Sequence, residues 1–270
     1  MAMQVEVKPV ETLLYSSDVV AMGTFRCAAD HPLFRDSGPC SHHTLAFPRS
    51  STEIRHDGGL SFVGSPNTVS LYNQHQRYTR RAISRVDASD WFVISDDVLH
   101  GVLGDFDKGP FRRAFAPIDV RTYALQRRLF NAVASCEYDS DEVEETALIV
   151  FEKVLDSARI SVAWDPMRDA VESVKRTIAA APARHVSLRT LARETESSPF
   201  HLCRAFRRLT GMTITAFRHS LRVRLALDRL RPSSDLTTLA LDLGYASHSH
   251  FTAVFRRHTG MTPSQFRSAS

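Results

Sequence analysis

Paired arginines recur at two points near the end of this chain, inside two almost identical octamers. The octamers are FRRLTGMT and FRRHTGMT, which lie 49 residues apart and share seven of eight positions. Guanidinium groups donate several hydrogen bonds in one plane to phosphate, carboxylate or guanine. The chemistry that this pattern indicates is the binding of an anionic partner. The arginines are Arg207 and Arg208 in the first copy and Arg256 and Arg257 in the second.

The basic residues are concentrated in the same part of the chain. Residues 168–270 contain 17 Lys+Arg against 7 Asp+Glu, whereas residues 1–167 contain 17 against 23. A localised basic domain indicates a polyanionic partner such as nucleic acid. A well-solvated surface gives the same composition, so charge alone leaves both interpretations open.

The octamers belong to two longer units, each of which reads as helix, turn, helix. Leu191-Ala192 recurs as Leu239-Ala240, a spacing of 48 residues against 49 for the octamers. The extra residue fits a turn between these anchors. We place the units at about 187–210 and 235–259.

Capping residues mark the ends of the four helices in these units. Serine, aspartate and proline favour a helix start, and glycine favours its end. The predicted starts are Ser187, Ser198 (before Pro199), Asp235 and Ser247, and the predicted ends are Gly211 and Gly260.

Helical periodicity separates an inward from an outward face on each second helix. The inward residues are Leu202, Phe206 and Leu209 in the first unit and Phe251, Val254 and Phe255 in the second. The second helix of a helix-turn-helix unit enters the major groove of DNA and presents its outward face to the bases. The outward residues are Phe200, His201, Cys203, Arg204 and Arg207, and then His248, Ser249, Thr252, Ala253 and Arg256.

A helix of about sixteen residues is predicted between the units. Ile214, Phe217, Leu221 and Leu225 form its apolar stripe. Such a helix is roughly 24 Å long, and it can hold two recognition helices about one DNA turn apart. Two adjacent major grooves of double-stranded DNA are therefore the expected partner. A protein-binding helical scaffold is the alternative, although such repeats rarely stop at two units.

Short segments rich in β-branched and aromatic residues predict a β domain before residue 118. Turn signals, among them Asp87-Ala88-Ser89-Asp90, separate the segments and favour a sandwich or small barrel. Two amphipathic helices follow, at roughly Asp119–Ala134 and Asp141–Ala158. This helix pair either packs on the β domain or forms a dimer face, and both roles fit its pattern.

At this point residues 168–268 closely resemble the AraC/XylS family of bacterial transcription regulators. The stretch DLTTLALDLGYASHSHFTAVFRRHTGMTPSQFR carries the resemblance. It implies seven helices, with the long one joining two subdomains, and contact with RNA polymerase. By position, the base-reading residues that it implies are Phe200, Cys203 and Arg204, and then His248, Ser249 and Thr252.

Two residues depart from the family pattern. Glu196 stands in the first turn where the family usually has Gly, at a position that favours positive φ. Ala253 stands where some members carry a base-contacting Arg, so the second unit is expected to read fewer bases.

More weakly, LAFPRSSTEIRH and GSPNTVSLYNQHQRY resemble the cupin-like sensing domain of some members. The expected fold is then two domains. Residues 1–158 form a mainly β cupin-like barrel (about 1–117) followed by the helix pair (about 118–158). Residues 159–167 form a linker, and residues 168–270 form an all-α DNA-binding domain with two helix-turn-helix units joined by a long helix.

Three sharper hypotheses compete with simpler ones. His42-His43, His56 and His75 suggest a metal-dependent cupin enzyme, but the β region has no His-x-His, so no metal or other cofactor is expected. Cys203 is either a thiol sensor or a small contact residue. Tyr72, Tyr78, Trp91 and Phe92 either line a ligand pocket or fill the core.

We therefore expect a DNA-binding transcription activator with no catalytic residues. Scattered cysteines, no export signal and no long apolar run indicate a cytoplasmic protein away from membranes. A homodimer and a small-molecule effector are expected, with no effector-binding residue assigned. The alternatives are a ligand-independent regulator whose β domain only dimerises, and a cupin-type metalloenzyme. The residues expected to hold phosphates are Ser198, Arg207, Arg208, Ser247, Arg256 and Arg257.

Overall fold

The computed structural model describes residues 3–5, 8–34, 38–106, 109–136, 138–158, 166–231 and 233–268. Residues 159–165 of the predicted linker lie outside these ranges. The chain divides into two compact units. The first comprises Met1–Ile118 and Leu125–Arg159, and the second comprises Asp119–Ala124 and Ile160–Ser270.

The first unit contains two antiparallel sheets. One has six strands in the order β1-β2-β8-β3-β6-β9, and the other has three in the order β5-β4-β7. The strands are β1 (Glu11–Ser16), β2 (Val20–Ala28), β3 (Thr44–Pro48), β4 (Thr52–His56), β5 (Phe62–Gly64), β6 (Thr68–Tyr72), β7 (Tyr78–Ala82), β8 (Val86–Ile94) and β9 (Phe115–Pro117).

The prediction of a turn at Asp87–Asp90 was wrong, because β8 runs through it. Asp90 is a paired strand residue that lies opposite Thr24 of β2 and Phe47 of β3. An acidic run inside a strand is stable here because each carboxylate has a cationic partner. Asp87 accepts from Arg80 at 3.0 Å, and Asp90 accepts from Arg127.

Helices cover part of the first unit. An additional helix that was not predicted, α1 (Asp96–Leu103), begins at the N-cap Ser95. The predicted pair is present as α2 (Val120–Ala134) and α3 (Ser140–Ala158). The apolar face of α3, which includes Val143, Ala147 and Val154, is buried. On α2, Phe130 packs edge-on against Phe92 of β8, with ring centroids 5.0 Å apart.

The first residues of α2 belong to the second unit. The Tyr123 hydroxyl donates to the carboxylate of Asp228 at 3.0 Å, and the guanidinium of Arg224 lies 5.6 Å from the Tyr123 ring. Burial lowers the pKa of Arg224 to about 10. These contacts explain why residues 119–124 group with the later helices rather than with the β strands.

The second unit is helical over its described residues after 166. The resemblance implied seven helices, and seven are present among those residues. They are α4 (Arg168–Ala180), α5 (Leu188–Glu194), α6 (Pro199–Thr210), α7 (Ile214–Arg229), α8 (Leu236–Asp242), α9 (His248–Thr259) and α10 (Pro263–Ser268).

The long helix α7 lies at the centre of this unit. It has the predicted sixteen residues and contacts both α6 and α9. Of the predicted stripe, Ile214, Phe217 and Leu221 are buried, and Leu225 is partly buried. Packing on more than one side makes α7 the common support of both helix-turn-helix units.

Candidate nucleic-acid interface

The first helix-turn-helix unit is built from α5 and α6, with the predicted caps. The hydroxyl of Ser187 accepts from the amide of Thr190 at 3.1 Å, and that of Ser198 accepts from the amide of His201 at 3.2 Å. Gly211 ends α6 with φ of 72°. These caps satisfy amides that a helix start otherwise leaves without partners.

The second helix-turn-helix unit repeats this arrangement with α8 and α9. The carboxylate of Asp235 accepts from the amides of Thr237 and Thr238, and the hydroxyl of Ser247 accepts from the amide of His250 at 3.1 Å. Gly260 ends α9 with φ of 86°. The octamer repeat is therefore the closing turn of two equivalent helices.

The two turns both have a residue with positive φ at equivalent positions. Gly244 in the second turn has φ of 78°, and Glu196 in the first has φ of 49°. The positive φ predicted for Glu196 is confirmed. A residue with a Cβ atom is strained in this region, so the first turn holds a strained residue.

The inward faces of α6 and α9 are buried as predicted, apart from Leu209, which is partly exposed. The predicted base-reading residues lie on the opposite faces. Phe200, Cys203 and Arg204 are exposed on α6, and His248 and Ser249 are exposed on α9, with Thr252 partly exposed. Each helix therefore presents one continuous surface at its N-terminal half, where recognition helices meet base edges.

The predicted phosphate-binding residues are also exposed and lie at the margins of these surfaces. Ser198 and Ser247 stand at the helix starts, where main-chain amides and the helix dipole favour anions. The four arginines lie in the last turns of α6 and α9. Cations there complement the helix dipole.

Three arginines of the helical second compact unit are buried and stabilise its fold. They are Arg218, Arg222 and Arg224, which are 7%, 5% and 0% exposed. The positive surface is therefore smaller than the residue count of the domain indicates. The apolar residues beside these arginines on α7 are the only sequence signal for this role.

Arg222 ties the second turn to the loop before α5. Its guanidinium donates to the carbonyls of Pro182, Ala183 and Gly244, at 2.7, 2.9 and 2.8 Å. The ring of Tyr245 lies 5.4 Å from the same guanidinium. A fork of donors that satisfies three carbonyls fixes two loops with one side chain.

The β-rich first compact unit of the chain contains a second candidate site. It is a cavity of about 120 Å³ lined by strands of both sheets. Of the four aromatics proposed from sequence, Tyr72, Tyr78 and Trp91 line it. Phe92 does not line this cavity, and its ring packs against Phe47 at 5.4 Å. Gly23 leaves room for the indole, because a Cβ atom there would lie 2.2 Å from the Trp91 ring.

Several polar groups face this cavity without a protein partner among the described residues. They include the indole N–H of Trp91 and the hydroxyl of Ser70, and the side chains of Tyr72 and Tyr78 line the same cavity. Burial raises the pKa of both tyrosines, so they stay neutral. Arg80 is engaged, donating to Asp87 at 3.0 Å and to the carbonyl of Leu33 at 3.1 Å.

The histidines considered as metal ligands have other surroundings. His43 accepts a hydrogen bond from the amide of Gln74 at 3.0 Å, and His56 packs on the ring of Tyr72 at 4.9 Å. Burial lowers the pKa of both histidines, that of His56 to about 4. Across the described ranges, no three His, Cys, Asp or Glu side chains group as a metal site.

Both helix-turn-helix units, with exposed basic faces on a shared central helix, define a DNA-binding protein. A family model described as a helix-turn-helix domain matches residues 191–269. The regulatory protein SoxS of Escherichia coli (strain K12) is 34% identical over 83 residues, which are 30% of this chain and 78% of SoxS. The chain belongs to the AraC/XylS family of DNA-binding transcription regulators.

Other relatives share less of their length with this chain. The bifunctional transcriptional activator/DNA repair enzyme AdaA of Bacillus subtilis (strain 168) is 30% identical over 86 residues, which are 32% of this chain and 41% of AdaA. The crystal structure of ToxT from Vibrio cholerae O395 is similar over 93% of this chain and 98% of ToxT, at 16% identity and a TM-score of 0.38. In the part of this chain that the structure describes, no helix has the length and apolar character to span a membrane.

Proposed function

We propose that this chain is a cytoplasmic transcription activator that reads two adjacent major grooves through α6 and α9. The observation that carries the proposal is the pair of exposed N-terminal helix faces on one central helix. Phe200, Cys203 and Arg204 contact bases in one groove, and His248, Ser249 and Thr252 contact bases in the next. α7 is about 24 Å long, which suits supports for two helices separated by about one DNA turn.

Arg204 is the strongest base-reading residue in this proposal. It is exposed one turn into α6, and a guanidinium there can donate to both O6 and N7 of guanine. The α9 face has shorter groups, and its Thr252 hydroxyl lies 3.4 Å from the His248 ring nitrogen. The first helix-turn-helix unit therefore contributes more sequence selectivity than the second helix-turn-helix unit.

Phosphate contacts set the register of the protein on the duplex. Arg207 and Arg208 flank the α6 surface, Arg256 and Arg257 flank the α9 surface, and the capped helix starts at Ser198 and Ser247 point amides outwards. Such contacts raise affinity for every sequence and make it dependent on salt.

A small molecule in the cavity of the first unit regulates the protein in this proposal. The cavity is close to the size that accepts benzene. The charges of Arg80 and Asp87 in its wall neutralise each other as an ion pair. The unpartnered indole N–H of Trp91 requires an acceptor. The expected effector is therefore a neutral ring compound that carries an oxygen. Homodimer formation and contact with RNA polymerase complete the proposal, and they are supported by membership of the family alone.

Selection of bound duplexes from a random DNA pool by the full chain tests the DNA-reading proposal. Two short motifs about one turn apart support it, and absence of any enriched motif contradicts it. Arg204→Ala should then cost about 1–3 kcal/mol on the selected site and much less on random DNA. Arg208→Ala should weaken both and reduce the salt slope by about 1. Arg229, exposed at the end of α7, offers a control whose replacement by Ala changes neither.

Fluorescence of the indole tests the effector proposal. Trp164→Phe leaves Trp91 as the one tryptophan of the chain. In that variant phenol should alter the emission and raise the unfolding temperature, because ligands stabilise the state that they bind. Adding Trp91→Tyr should weaken phenol binding. No response to phenol, benzyl alcohol or benzaldehyde contradicts a neutral oxygenated ring as the ligand.

A further inference from the structure

The ring of Phe200 is an exposed apolar group at the point where α6 would enter DNA. It is 65% exposed, the largest fraction among the large apolar side chains that the structure describes. It is the second residue of α6, directly after Pro199. Residues at the start of a recognition helix contact base edges. A partner that covers an exposed phenyl group at that position gains binding free energy from the burial of its apolar area.

The major groove offers one apolar group to such a ring. Base edges there present hydrogen-bond donors and acceptors, and thymine adds a methyl group at C5. Phenylalanine has no polar atom with which to read the other bases. We propose that Phe200 recognises a thymine methyl group, and that it makes the first helix-turn-helix unit selective for a T·A pair at one position.

Arg204 places a second reading group beside the ring. Its guanidinium carbon lies 5.5 Å from the centroid of the Phe200 ring, one helical turn further along α6. Four residues of helix rise about 6 Å, close to two base-pair steps of about 3.4 Å. With Arg204 on guanine, the thymine and the guanine should lie within two base pairs of each other.

Charge around the ring favours DNA over a protein partner. The α6 helix carries no acidic residue in its first turn and two arginines in its last. The exposed neighbours of the ring on α6 include His201 and Cys203, and neither is an aspartate or a glutamate. The inference rests on the proposed DNA-reading function, since the ring must face a major groove.

Removal of a single methyl group tests the assignment. In the duplex selected by the full chain, each thymine of the first motif is replaced in turn by deoxyuridine, which keeps the base pair and loses the methyl group. At one position this change should weaken binding of the unaltered protein about fourfold, the effect of one buried carbon. Phe200→Ala should weaken binding to the thymine duplex by at least as much and show no further loss with deoxyuridine.

Leu241→Ala is the matched control, because Leu241 is an exposed large apolar residue (56%) that lies on α8 and not on α6 or α9. It should leave both affinities and the methyl effect unchanged. If no deoxyuridine substitution weakens binding while Arg204→Ala still lowers selectivity, the thymine assignment is wrong and the DNA-reading function stands. If Phe200→Ala binds DNA as well as the unaltered protein, the ring serves another partner. If the chain selects no sequence at all, the proposed function fails as well.

Discussion

Glu196 and Gly244 hold equivalent places in the two helix-turn-helix turns, and both have φ in the left-handed region, at 49° and 78°. Their surroundings differ. Glu196 is exposed, whereas a Cβ atom on Gly244 would lie 2.1 Å from the carbonyl oxygen of Ala183. One backbone conformation is therefore required twice, with side-chain space at only one of the two sites.

Glu196→Gly should stabilise the helical second compact unit of the chain by about 0.5–1 kcal/mol. Relief of left-handed strain contributes about 1–2 kcal/mol, and the greater freedom of glycine in the unfolded chain takes back up to about 1 kcal/mol. Thermal or urea unfolding measures the change. Glu196→Ala, which keeps a Cβ atom, should give no such gain. An equal gain from both variants would show that the carboxylate, not the backbone, is responsible.

Gly244→Ala should destabilise the same unit by about 3 kcal/mol. The substitution adds left-handed strain and a clash with the backbone at Ala183, which can relax only by moving a packed loop. Gly211→Ala is the control, because Gly211 has φ of 72° and open space around it. That control should cost about 1 kcal/mol. Equal losses at the two sites would argue against the clash.

Arg127→Ala should destabilise the first unit by about 3 kcal/mol. Asp90 is fully buried and accepts from both Arg127 and Gln126. Removal of one partner leaves a buried carboxylate poorly compensated. Arg49, whose guanidinium is 3.7 Å from Asp90, is 27% exposed and provides the control, since Arg49→Ala should cost much less. Denaturant unfolding of the full chain compares the two, and equal losses would contradict the ranking.

Acid should destabilise the second unit through His219. Burial, with Arg222, His250, His258 and Arg218 nearby, lowers the pKa of His219 to about 4. A histidine with a lowered folded pKa stabilises the fold fully above about 6.5, its value in the unfolded chain. That stability is lost as pH falls from about 6.5 towards 4.

His219→Phe keeps a ring against Tyr245 and removes the titrating group. The histidine ring stacks on Tyr245 with centroids 5.8 Å apart. Unfolding temperatures measured between pH 7 and pH 5 should therefore fall less steeply in the variant. Residual slope is expected, because burial also lowers the pKa of His56 and His258. Identical slopes in both proteins would remove His219 from the explanation.

Local signals were sufficient for the helical half of the chain. Caps at Ser187, Ser198, Asp235 and Ser247 and the closing glycines Gly211 and Gly260 stand where they were predicted. A helix start or end is decided by hydrogen bonds and backbone angles within a few residues, which the sequence displays directly. The outward faces of α6 and α9 followed from the same short-range periodicity.

The β half was less accessible, because pairing between distant strands overrides local signals. Asp87 and Asp90 are typical turn residues, yet β8 passes through both. Their carboxylates are stabilised inside the strand because they accept hydrogen bonds from Arg80 and Arg127. Helix α1 was not predicted either, since only β structure was expected before residue 118. Which aromatics face a cavity depended on sheet register, which placed Trp91 on its wall and Phe92 in the core.

The sequence by itself determined the two helix-turn-helix units, the outward faces of their second helices and the strained Glu196, since each depends on residues close in the chain. Tertiary structure alone decided that Arg218, Arg222 and Arg224 are buried and that Gly244 has no room for a side chain. It also decided that Tyr72, Tyr78 and Trp91 surround one cavity. These facts depend on groups brought together from distant parts of the chain, and only the packed fold establishes which of them meet.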